Sequence, residues 1–186
     1  MNPISISRFS VAVAAVLAAG PIAAQQPVDP AREKVERADA RLREFQEAEI
    51  TDPTVFVKSA ALGDLTGIEL AKVAQSKAEN AGVKTLAARL LKDHTAAYSE
   101  LTAIAKRKRM DVPNSLVYED EQVVNEAAGK SGAEFDSWYG QRMITESQKA
   151  VALFQAAAKM QDAELAAFAK KTLPVLEEHQ RLAAAL

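Results

Sequence analysis

No cysteine occurs in the 186 residues, so the chain forms no disulfide and offers no thiolate to a metal, whatever its compartment. Aromatic residues make up only 5%. Histidine occurs twice, which confines any imidazole chemistry to His94 and His179. Acidic and basic side chains nearly cancel, 25 against 23, for a formal charge of −2. Without a basic excess, nucleic acid is not an expected partner. There is no glycine-rich phosphate loop, and Ser137 and Ser147 have no histidine at a spacing that would mark a hydrolase nucleophile. No haem-attachment motif is present. No run alternates with period two for long enough to build a sheet.

What is abundant is alanine and other helix-favouring residues, in a chain long enough for one domain with a real core. The first residues read differently from the rest. A short polar start with one cation, Arg8, precedes an apolar run from Phe9 to Ala19. Gly20-Pro21 breaks that run, and Ile22-Ala23-Ala24 offers a small-residue exit. This is the pattern of a cleaved secretory signal over residues 1–24, and it places the mature chain in the periplasm or outside the cell. The run is shorter than the roughly 20 residues of a transmembrane helix, so a membrane contact is expected only through an uncleaved signal. Residues 25–51 read as a proline-containing linker and a charged helical arm, in which 31–50 has a thin apolar stripe (Val35, Ala38, Leu42, Phe45). Such a charge run is most simply a solvated face, with a partner-binding arm as the functional alternative.

Residues 52–186 carry the signals of a bundle. Asp52 before Pro53 starts a helix that runs to about Ala78, with a stripe of Phe56, Ala60, Gly63, Gly67, Leu70 and Ala74. Asn80 caps a second helix that reaches about Met110, with His94 inside the seam Val83, Ala87, Leu90, Ala97, Leu101, Ile104. Its four closing cations, Lys106 to Arg109, suit the negative end of the helix dipole. The polar connection 115–130 carries one short helix. Ser131 and Glu134 then form a capping-box pattern before a third long helix, with stripe Asp136, Tyr139, Met143, Glu146, Ala150, Leu153, Ala157 and Met160. Asp162 caps the last helix, whose face is Leu165, Phe168, Thr172, Val175, His179, Leu182 and Leu186, with a kink expected at Pro174. Short links within each pair of long helices and a long link between the pairs predict an all-α, ferritin-like four-helix bundle with one long crossover and an extra N-terminal helix.

Two histidines on apolar seams raise a metal site or a satisfied core. A ferritin-like di-metal centre needs Glu-x-x-His on two helices, and Leu91 and Leu176 stand where those glutamates would be. One divalent ion (Zn²⁺, Fe²⁺, Mn²⁺ or Cu²⁺) remains open, on a candidate set of one residue per helix: Glu69, His94, Glu146 and His179. The alternative is no cofactor, with neutral imidazoles bonded to Tyr98, Tyr139 or those glutamates.

The segments FVKSAALGDLTGIELAKVA, VKTLAARLLKDHTAAYSELTAIAK, EFDSWYGQRMI and FAKKTLPVLEEHQRLA resemble the DUF4142 family over about residues 52–186. Asp93-His94, Phe135-Asp136 with Tyr139, and Leu173-Pro174 with His179 carry the resemblance most specifically. It implies a bacterial exported or envelope-associated protein with a ferritin-like bundle, and gives little chemistry. It also implies a histidine four residues after Met143, where this chain has Ser147, so a three-histidine cluster would lack one member here. The combined expectation is a non-enzymatic bundle protein of the cell envelope, with a stress-related role suggested by family analogy alone, that acts through its surface or an unidentified protein or envelope partner. The alternative is a mononuclear metal-binding protein; a redox enzyme ranks third.

Overall fold

The computed structural model describes residues 51–186, and the expected signal, linker and charged arm before residue 51 lie outside the described residues. Every regular element among the described residues is helical. The helices are α1 (Pro53–Lys77), α2 (Ala81–Lys108), α3 (Tyr118–Gly129), α4 (Gly132–Ala157) and α5 (Ala163–Ala183). α1 packs mainly on α2 and α4 mainly on α5, giving two hairpins, and the connection between the pairs contains α3, which lies against α1. This is the expected all-α bundle with its long crossover and short helix.

The helix starts follow the sequence signals except one. Asp52 accepts from the backbone N–H of Thr54 and Val55, Asn80 from Gly82 and Val83, and Asp162 from Glu164 and Leu165. Each satisfies donors that the first turn leaves without intrahelical partners. The capping box at Ser131 does not form: its side chain makes no capping bond. Gly132 turns the chain with φ of 57°, and Glu134 pairs with Lys130 at 3.0 Å instead of reaching back to residue 131. The closing cations of α2 do more than meet a dipole. Arg107 bonds Glu164, and Lys108 bonds Asp162 at 2.8 Å, which ties the end of α2 to the start of α5.

The core divides into two apolar clusters. One gathers Phe56, Leu101, Ile104, Phe154, Leu165 and Phe168, with Phe56 meeting Phe154 edge-on at 5.3 Å between ring centroids. The other gathers Leu70, Leu86, Leu90, Phe135, Tyr139 and Met143. Each long helix contributes to both clusters and carries a polar residue where it passes between them. In α1, Asp64 falls between Ala61 and Leu70; in α2, His94 falls between Leu90 and Leu101. In α4, Ser147 falls between Met143 and Phe154; in α5, His179 falls between Leu176 and Ala183. The bundle therefore has a polar layer between two dry ends.

Two stripes differ from the sequence reading. On α4 the buried series is Phe135, Tyr139, Met143, Ser147 and Phe154, so Asp136 and Glu146 lie beside the seam rather than in it. Asp136 instead accepts from the backbone N–H of Glu79 and, at 2.8 Å, of Asn80, holding the α1–α2 turn. On α5, Leu176 is buried in place of Val175 and Ala183 in place of Leu182, while Leu186 is exposed. α5 runs unbroken through Pro174. Pro174 and Lys170 both face solvent, so water can take the carbonyl that the missing N–H would have bonded.

Candidate functional site

The polar layer lines a cavity of about 310 Å³ that opens to solvent past Ser59, Gly63 and Lys149. Asp64, His94, Ser147 and His179 all line it, together with Asp120 from α3, Glu146 from α4 and an apolar wall that includes Leu70, Leu90, Met143 and Phe154. The two imidazoles lie 5.5 Å apart between ring centroids, at 48° to each other. Antiparallel pairing brings together residues 85 positions apart because each sits near the middle of its helix.

Each imidazole is held by its own aspartate. Asp64 Oδ1 meets His94 Nδ1 at 2.8 Å, and Asp93 Oδ2 meets His179 Nε2 at 2.9 Å. The second pair continues to Arg89, whose Nε donates to Asp93. The pairs cross helices in a particular way. Asp93 precedes His94 on α2, points about 100° away from it around the helix, and so reaches α5 instead.

Close approach of α1 makes room for His94. A methyl group on Gly67 would stand 2.7 Å from His94 Cδ2 and 2.8 Å from Nε2. Only a residue without a side chain lets the ring lie against that turn of helix. At Gly63, one turn earlier, a methyl would meet nothing within 4 Å.

The electrostatics of the two pairs differ. Burial pushes the Asp64 carboxyl above its ordinary value, and the His94 bond only partly opposes this. Burial also pushes the Asp93 carboxyl up, but the bonds from Arg89 and His179 outweigh it and hold the group below its ordinary value. Burial lowers His179 from 6.5, against the pull of Asp93. Asp120 is raised by burial, with the Thr66 hydroxyl opposing and the neighbouring Glu146 charge adding to the rise. Asp64 is only 5% exposed, and its Oδ2 has no hydrogen-bond partner.

Of the four sequence-derived candidates, the structure brings His94 and His179 together and places the glutamates differently. Glu69 sits at the surface, pairs with Lys72 at 2.7 Å and does not line the cavity. Glu146 does line the cavity but is engaged by Arg142 at 3.0 Å and Lys149 at 3.2 Å. Among the described residues, no group of three or more His, Asp or Glu side chains stands at metal-binding range. The expected partners of the imidazoles are corrected too. Tyr98 donates to the Pro113 carbonyl and Tyr139 Oη has no partner, while the histidines take aspartates. Asp64 and Asp93 are the residues that the sequence reading missed. Asp64 belongs to a second buried stripe of α1, Val57, Ala61, Asp64 and Ala71, parallel to the one chosen. Ser147 continues the four-residue steps Phe135, Tyr139, Met143.

The model of a family described as a domain of unknown function, DUF4142, matches residues 35–186, starting inside the charged arm rather than at residue 52. No curated protein and no solved structure matches the chain.

Proposed function

The chain belongs to the DUF4142 family, and we propose that it is an exported helical-bundle protein of the bacterial envelope that works by binding in its interior rather than by catalysis. The observation that carries the binding reading is the polar layer: a 310 Å³ cavity lined by two imidazoles, each fixed by an aspartate. Ligand pockets begin at roughly this size, about 300 Å³. A serine nucleophile needs a base within hydrogen-bond reach, and no hydrogen bond joins Ser147 to either imidazole among the described residues. Export is supported by the signal pattern in residues 1–24. No helix among the described residues is long and apolar enough to cross a membrane.

Native mass spectrometry of the full chain expressed in a bacterial host and isolated from its envelope fraction tests both parts. The expected result is a chain beginning near residue 25 with an adduct that disappears when Ala150→Trp fills the cavity. An unprocessed chain in the cytoplasm overturns export; no adduct in either protein overturns interior binding.

A second reading has its own support. Each histidine bonds a carboxylate through one ring nitrogen, leaving His94 Nε2 and His179 Nδ1 without a bonded aspartate. A carboxylate behind an imidazole is the usual outer shell of a metal-binding histidine. One divalent ion on those nitrogens would leave Glu69 outside the site. Elemental analysis of protein purified without chelator should then find near-stoichiometric metal, lost in both His94→Ala and His179→Ala. Equal, trace metal in all three proteins refutes it.

A further inference from the structure

We propose that the free ring nitrogens of His94 and His179 and the thioether of Met143 form a site for one soft monovalent ion, Cu(I). This rests on the reading that those two nitrogens hold a metal, and commits it to a soft ion with a sulfur as third ligand. Met143 lines the same cavity as both histidines, and helix registry puts it at their level. Phe154 of α4 meets Phe168 of α5 at 5.8 Å and Phe56 of α1 at 5.3 Å between ring centroids. A step of eleven residues is about three full turns, so it returns to the same face of a helix. Met143 lies eleven residues before Phe154, His179 eleven after Phe168, and Gly67 eleven after Phe56. α4 runs antiparallel to its hairpin partner α5. It also runs antiparallel to α1, since Phe154 meets Phe56 near one end while Asp136 accepts from the Glu79 N–H at the other. All three steps therefore run the same way along the bundle, and Met143 faces His179 and Gly67 as Phe154 faces Phe168 and Phe56. The His94 ring lies against Gly67, so both imidazoles and the thioether share one layer.

The donors are free and reachable. With His94 Nδ1–H donating to Asp64 and His179 Nε2–H donating to Asp93, each ring keeps a lone pair on its other nitrogen, His94 Nε2 and His179 Nδ1. Neither is sealed. Among the described residues, the buried side-chain nitrogens and oxygens without a partner are Asp64 Oδ2, Thr102 Oγ1, Tyr139 Oη and Arg142 Nε, so both ring nitrogens stay open to the cavity they line. The donor set selects the ion. Asp64 and Asp93 are taken by the histidines and Glu146 by Arg142 and Lys149, and no carboxylate joins the two imidazoles at metal-binding range among the described residues. Hard ions need such oxygens, and Zn²⁺ takes four ligands. Two neutral imidazoles and a thioether are a soft, uncharged set, which favours Cu(I), an ion satisfied by two or three ligands. A single charge also loses its water more easily than a double one, which suits a wall of Leu70, Leu90 and Phe154. The opening past Ser59, Gly63 and Lys149 gives the ion its way in.

The test is an anaerobic titration of the full chain with Cu(I) in competition with the chromogenic chelator bicinchoninate, beside a titration with Zn²⁺. The expected result is one Cu(I) per chain, lost in His94→Ala and in His179→Ala, with a copper–sulfur distance in the X-ray absorption spectrum. Met143→Leu keeps the volume of the core. It should weaken Cu(I) binding by roughly tenfold or more, remove the sulfur signal and leave any Zn²⁺ binding unchanged. It carries the test if the histidine variants do not fold. Cu(I) held equally by wild type and Met143→Leu overturns the thioether site and leaves the metal reading standing. One Zn²⁺ per chain with no Cu(I) overturns the soft-ion inference in the same way. Binding of neither ion overturns this inference and the metal reading together.

Discussion

Two glycines one turn apart on α1 should respond to the same substitution with opposite signs. In a helix interior, Gly→Ala stabilises by about 1 kcal/mol through backbone entropy alone. At Gly63 nothing lies within 4 Å of the new methyl, so Gly63→Ala should show that gain nearly undiluted. At Gly67 the methyl would stand 2.7 Å from His94 Cδ2, too close for any real contact. The ring cannot simply swing away, because Nδ1 is held by Asp64 at 2.8 Å and His179 lies beside it. Moving it costs an overpacking penalty of about 1–3 kcal/mol and, if the bond breaks, about 1–3 kcal/mol more for the buried Asp64 carboxyl. Set against the propensity gain, Gly67→Ala should destabilise by about 1–3 kcal/mol. Urea unfolding monitored by circular dichroism reads both variants, provided the transition stays two-state. A double-mutant cycle isolates the cause. In a His94→Ala background the methyl meets empty space, so Gly67→Ala should become stabilising, with a coupling on the order of 2–4 kcal/mol. If Gly67→Ala stabilises the wild type as much as Gly63→Ala does, the close approach of α1 to His94 is wrong.

The pH dependence of stability should carry two opposed signatures. His179 is depressed from 6.5, so its contribution is complete above pH 6.5 and is lost as the pH falls toward the folded value; His179→Gln should flatten that loss in urea midpoints taken across the window. Asp64 is raised from 3.8, so its ionisation penalises the fold at neutral pH and is relieved as the pH falls through the raised value toward 3.8; Asp64→Asn should remove that relief, and a variant profile parallel to wild type would refute the assignment. Tyr139→Phe removes a buried hydroxyl without a partner while keeping the ring stacked 5.6 Å from Phe135, so thermal melting should show no loss and up to about 1 kcal/mol of gain. Asp162→Ala removes the α5 cap and the partner of Lys108 and should cost about 1–2 kcal/mol in the same melt; an unchanged midpoint would mean that the cap contributes nothing.

The helices were legible because their signals are local. Asp52-Pro53, Asn80 and Asp162 announce starts through side chains that bond N–H groups two or three residues away. The hairpin pairing follows from short links, and the meeting of the two histidines follows from antiparallel registry. The partners of those histidines were not legible, for a geometric reason. Each long helix buries a face wider than one stripe, so several parallel stripes satisfy a helical period. The choice between Glu69 and Asp64, or between Glu146 and Ser147, turns on about 100° of rotation per residue around the axis, which only packing sets. A longer carboxylate one stripe over can snorkel to a cation at the surface, as Glu69 does to Lys72. The shorter aspartate and serine remain in the layer. Ser131 failed as a capping box because its geometry depends on Gly132, whose positive φ the pattern does not encode.

The asymmetry between the two Asp–His pairs decides what kind of site the layer can be. Asp93 is countercharged: one oxygen serves both Arg89 and His179, the guanidinium supplies a permanent positive charge, and the pair fixes the 2%-exposed imidazole of His179 in place. That is a structural lock, and it leaves α5 no freedom to rotate His179 out of the layer. Asp64 differs: it is deeper, has no guanidinium on it, and its unbonded oxygen is fully buried. A layer kept only for packing would be cheaper with apolar residues at both positions, since a buried pair of this kind seldom adds net stability over a hydrophobic replacement. The lock alone explains keeping Asp93 with His179. It does not explain Asp64, whose Oδ2 is buried without a hydrogen-bond partner. Gly67 adds to the point: α1 gives up about 1 kcal/mol of helix propensity at that turn to seat the ring that holds Asp64. Two residues are thus arranged at a loss, and both losses converge on the seating of the His94 ring at the wall of the cavity.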